Sequence, residues 1–135
     1  MVEINITYEG DLRCKAQHAP SGSVLLTDAP VDNQGKGEAF SPTDLVATAL
    51  GTCILTTMGI VAKLMNVDLR GAKVSVKKEM ALKPSRRIGV LTVVLDIPVS
   101  PTPEQKQRLE EVALKCPVHH SLHPDVQMPI EFRWA

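Results

Sequence analysis

The chain has 135 residues, and its 15 Lys and Arg balance its 15 Asp and Glu, for a formal net charge of zero. That length fits one ordinary domain with a modest core. A neutral chain has no broad field to draw nucleic acid or anionic lipid, and two Phe, one Tyr and one Trp leave little for stacking on bases.

The N-terminus, Met1-Val2-Glu3-Ile4-Asn5-Ile6, has no basic segment before an apolar run, so no signal peptide is expected. A reducing, cytoplasmic setting follows as the expectation. There the three cysteines are expected as free thiols, catalytic groups or ligands rather than as a disulfide scaffold. Residues 2–8 alternate Val2, Ile4 and Ile6 with Glu3, Asn5 and Thr7, which predicts a half-buried strand. Glu9-Gly10-Asp11 predicts a turn, Leu12–His18 the returning strand and Ser23–Thr27 a short third one. The polar segment from Asp28 to Phe40 reads as a loop long enough to carry function.

Ser41, Pro42 and Asp44 then form a helix start: an N-cap, a proline in the first helical position and a carboxylate in the capping-box position. The helix is expected to run to Met65, with Asn66 as its C-cap. Leu45–Met65 is long enough to cross a bilayer by the rule of about 20 apolar residues. Its Thr48, Thr52, Thr56, Thr57, Gly51, Gly59 and Lys63 favour a core helix buried on most sides. Alternation returns over Lys73–Leu82 and continues in Ile88–Val99 after a turn at Lys83–Arg87, a second hairpin. Thr102 and Pro103 start a second helix whose Leu109, Val112, Ala113 and Cys116 share one face, and Pro117 is expected to stop it. Ile130–Trp134 closes the chain as a short strand. Hairpin-linked strands with segregated helices predict an α+β fold. So apolar a first helix exceeds what two small hairpin groups can cover, which predicts a homodimer built around it.

Chemistry concentrates at Cys53, in the middle of the first helix, and at Cys116, which opens Cys116-Pro117-Val118-His119-His120. Either thiol alone reads as an inert small residue. Together they pair a buried thiol with a helix-terminal one, and His119 or His120 could favour a thiolate on either. Cys14, on an alternating strand, is given no role. Cys116, His119, His120 and His123 also have a spacing that could hold a metal, but no second ligand pair lies elsewhere, and no metal site is expected. No phosphate-binding, dinucleotide-binding or nucleophile-elbow motif is present, and no cofactor is expected.

The segments Phe40-Ser41-Pro42-Thr43-Asp44-Leu45 through Cys53 and Cys116-Pro117-Val118-His119 resemble the OsmC/Ohr family, the osmotically inducible and organic hydroperoxide resistance proteins. The family's helix start is followed by a cysteine eight positions after the leucine, a separation Leu45 and Cys53 keep. The resemblance covers essentially the whole chain and implies a single OsmC-like domain over residues 1–135. It also implies two subunits intertwined around central helices, and thiol peroxidase activity on organic hydroperoxides. By position Cys53 would attack and Cys116 resolve, with a dithiol reductant, such as a lipoylated protein, restoring the pair. The peroxidase branches place a glutamate directly after the helix-start proline and hold an arginine with it. Here Thr43 stands at that position with Asp44 next, and no arginine occurs between Arg13 and Arg70. The sequence therefore lies closer to the OsmC-like branch. Lys36 and His119 are the candidates to support the thiolate, and Asp44 the carboxylate beside them. The competing expectation is a non-catalytic member that binds a small apolar or acyl ligand at the dimer interface.

Overall fold

The computed structural model describes all residues, Met1–Ala135. The chain forms two compact units, Met1–Val46 and Ala47–Ala135. In the first, β1 (Ile4–Gly10), β2 (Arg13–His18) and β3 (Val24–Asp28) make an antiparallel sheet in the order β1-β2-β3. The first turn falls at Asp11 and Leu12, one to two residues later than predicted, and both adopt positive φ, 53° and 63°. Paired left-handed residues match the twist of a tight hairpin, and a register shift between Tyr8 and Gly10 accommodates them. The alternation in β1 predicts a half-buried strand, but Val2 lies before it, and Ile4 and Ile6 are 57% and 66% exposed.

The segment after β3 is held by backbone bonds: Asp28 N–H to Phe40 O at 3.0 Å, Gly37 N–H to Ala29 O at 3.3 Å, and Gly35 N–H to Pro30 O at 2.9 Å. A short 3-10 turn spans Val31–Asn33. The long helix α1 (Pro42–Leu64) begins as the sequence predicts. Asp44 Oδ2 accepts from Ser41 N–H at 2.9 Å and Ser41 Oγ accepts from Asp44 N–H at 3.0 Å, so the shorter carboxylate completes the capping box. The far end closes with Asn66 at φ 55° and Val67 N–H bonded to Ala62 O at 2.9 Å, a left-handed cap that satisfies a terminal carbonyl.

In the second unit β4 (Lys73–Ala81) and β5 (Arg87–Ile97) form the predicted hairpin, and β6 (Ile130–Trp134) adds to β5 in parallel. Leu91, Val93, Leu95 and Ile97 of β5 alternate into the core with Leu50, Ile54, Met58 and Ala62 of α1. Gly51 lets helix and sheet approach: a Cβ there would stand 3.0 Å from Val76 Cγ2 and 3.4 Å from Val74 Cγ1. By length and composition α1 alone would suffice to cross a membrane, yet its Ala47, Leu50, Gly51, Ile54, Met58 and Ala62 are buried in this chain. Thr48, Thr52, Thr56, Ile60 and Leu64 are exposed, so the chain by itself leaves one side of α1 uncovered, as expected of a helix too apolar for two small hairpin groups.

The helix α2 (Pro103–Ala113) has Thr102 as N-cap, and Gln105 completes a second capping box. It ends before Cys116. Pro117 does not stop a helix but begins one, α3 (Pro117–Ser121), with Cys116 as its N-cap. Proline suits the first helical position because its missing N–H would have no partner there. The face predicted for α2 is nevertheless correct, since Leu109, Val112, Ala113 and Cys116 are all buried.

Candidate functional site

Unit 2 brings Cys53 and Cys116 together. Both are reduced; Cys116 is completely buried, and Cys53, expected as the buried thiol, is half-buried. The chain breaks between the two helices at Leu114 and Lys115. By ending α2 early and restarting at Pro117, the chain turns the Cys116 side chain inward as a cap. His119 N–H donates to Cys116 Sγ at 3.3 Å.

Burial pushes the Cys116 thiol above its ordinary value; the amides of His119 and Val118 oppose this, and the neighbouring Cys53 sulfur adds to it. The balance favours the protonated Cys116 thiol. Cys53 Sγ also lies 4.0 Å from the hydroxyl of Thr57, one turn further along α1. Thr57 was not among the sequence candidates, although its spacing of four from a helical cysteine makes the pair readable in advance.

The predicted supporting residues fall into different places. Asp44 is engaged in the helix cap. Lys36 is an exposed residue of the unit 1 loop. His119 meets Cys116 through its backbone amide, while its ring stacks edge-on to His120 with centroids 6.4 Å apart. The spacing of Cys116, His119, His120 and His123 does not gather three ligands around a point.

A second group absent from the sequence candidates lies in unit 1. Asp28, 1% exposed, accepts through one oxygen from Arg13 at 3.2 Å and from Glu38 N–H at 3.1 Å. Arg13 also pairs with Glu38 at 2.9 Å. The Glu38 amide chiefly holds the Asp28 carboxyl below the usual carboxylate range; burial opposes it and Arg13 assists. Arg13 and Asp28 are register partners across β2 and β3. The absence of arginine from the loop itself had hidden this arginine–carboxylate clamp.

The sequence model of the OsmC-like protein family matches residues 35–131. The chain belongs to the OsmC-like family. Among solved structures, one OsmC-like relative is a Psychrobacter arcticus 273-4 protein provisionally described as an osmotic stress induced and detoxification response protein. It is 43% identical, with a TM-score of 0.92, over 98% of this chain and 96% of that one. The organic hydroperoxide resistance protein OsmC of Legionella pneumophila shares 14% identity and a TM-score of 0.79, over 98% and 96% of the two chains. An OsmC like protein from Mycoplasma pneumoniae shares 15% identity and a TM-score of 0.83, over 100% and 97%. A comparison with curated protein sequences gives no match. The α+β arrangement of two small sheets and a long helix is thus the OsmC-like fold.

Proposed function

We propose that this OsmC-like protein is a thiol-dependent hydroperoxide reductase that works through a Cys53–Cys116 dithiol–disulfide cycle in the cytoplasm. The observation that carries the reading is the pair itself, two cysteines from distant segments side by side in unit 2, with the proton retained on the buried member. The half-buried Cys53 is the one a substrate can meet. Its thiolate attacks the outer oxygen of an organic hydroperoxide, and the O–O bond breaks. The sulfur becomes sulfenic acid and the alkoxide leaves, taking up a proton as the alcohol. Cys116 then attacks the sulfenic sulfur, a disulfide forms, and water departs. A dithiol reductant, for which a lipoylated protein has the right chemistry, exchanges with the disulfide and restores both thiols. Relatives that are organic hydroperoxide resistance proteins support the substrate class.

The two units are read as parts of one domain, and a second copy of the chain completes it. Ile4, Ile6 and Tyr8 on the unit 1 sheet are more than half exposed, as is Ile60 on α1. An apolar surface of that extent, on both units, supports a homodimer.

The test separates the two sulfurs. Cys116→Ser is expected to form one trappable sulfenic acid at Cys53 with no multiple turnover. Cys53→Ser is expected to form none and to consume no peroxide. Organic peroxide consumption by Cys53→Ser at the parent rate would defeat the reading, and a bound apolar or acyl ligand would replace it.

A further inference from the structure

Two threonines of α1 show what Thr57 does differently. The Thr52 hydroxyl turns back onto its own helix and donates to Thr48 O at 2.8 Å and to Ala49 O at 3.3 Å, the usual fate of a helical hydroxyl. The Thr57 hydroxyl instead stands over the preceding turn, with Oγ1 4.0 Å from Cys53 Sγ. Side chains on a helix lean toward its N-terminus, so the residue four positions on covers the cysteine. The Cys53 sulfur is met by the Thr57 hydroxyl, and the Cys116 thiol is its neighbour.

We propose that Thr57 is a hydroxyl donor to the Cys53 sulfur and stabilises its thiolate, the form that attacks hydroperoxide. The inference rests on the peroxidase reading for its purpose and on the Thr57–Cys53 geometry for its existence. In the thiol form either atom can donate. Once the sulfur is charged only the hydroxyl can, and the contact tightens because a charged acceptor draws its donor closer. A donor to the charged form favours that form. In a family member with Thr43 at the helix-start position, this donor comes from the helix itself, one turn from the nucleophile.

The experiment follows iodoacetamide modification of Cys53 across the thiol titration range in the reduced full-length chain, with the Cys53 peptide quantified by mass spectrometry. Thr57→Val and Thr57→Ala are expected to move the profile to higher pH and to slow Cys53 modification about tenfold below its midpoint, the effect of one lost bond to a charged group. Thr57→Ser keeps the hydroxyl and should follow the parent. Modification of Cys14 should not change in any variant. A profile that stays in place in Thr57→Val and Thr57→Ala overturns the proposal, as does a Thr57→Ser profile displaced as far as Thr57→Val. If Thr57→Val does not fold, the alanine and serine variants decide alone. Peroxide consumption by the parent is measured alongside. A parent that consumes none while the profile still moves retires the peroxidase reading and leaves the donor role standing.

Discussion

The fold shifts the ionisation of Cys116 and of Asp28 in opposite directions. Burial keeps the Cys116 thiol protonated. Its contribution to stability is complete below the unfolded thiol value of about 8.5 and is lost as the pH rises past it. Denaturant melts of the reduced protein should therefore weaken on the alkaline side, and Cys116→Ala should flatten that slope. Asp28 is held as a carboxylate by the Glu38 amide and Arg13. Its contribution is present above the unfolded value of about 3.9 and is lost as the pH falls. Asp28→Asn should lower stability at neutral pH and reduce the acid dependence. Because the same oxygen anchors Glu38 and Arg13, amide exchange in residues 29–40 should also rise in that variant.

The helix start and the hairpin turn make separate demands on their residues. Ser41→Ala removes the side-chain half of the α1 cap and should cost about 1 kcal/mol, read as a lower melting temperature. Leu12 occupies a left-handed position without being glycine, and it is exposed. Leu12→Gly should relieve more strain than the flexibility it adds, a gain of up to about 1 kcal/mol by denaturant melt. The caps and the alternation of β4 and β5 were legible because they depend on neighbours in sequence. The shift of the first turn to Asp11 and Leu12 was not, since Gly10 is the residue that ordinarily marks such a turn. The second start at Pro117 was misread for a similar reason. Proline after a helix signals an end, and only the inward cap made by Cys116 shows a beginning. The pairing of Cys53 with Cys116 came from resemblance, because no local pattern can bring a mid-helix residue to a distant one. The clamp of Arg13, Asp28 and Glu38 needed the strand register to be seen.

For the molecule as a whole, the exposed apolar surface on both units predicts sedimentation at twice the chain mass at micromolar concentration. Ile60→Glu, placed on the exposed side of α1, should shift that equilibrium toward monomer without touching the core. Leu50→Asp, by contrast, puts an unpaired charge at a site with no exposure and should prevent folding altogether. The sealed position of Cys116 gives the molecule a stoichiometry that depends on its state. Three thiols are written in the sequence, but one of them has no surface at which to meet a reagent from solution. An alkylating reagent such as iodoacetamide, applied to the reduced native protein, should therefore label two thiols per chain at its fast phase, and a third only as the chain unfolds. The interval between those phases becomes a clock for the opening of unit 2, read from the sulfur that faces inward.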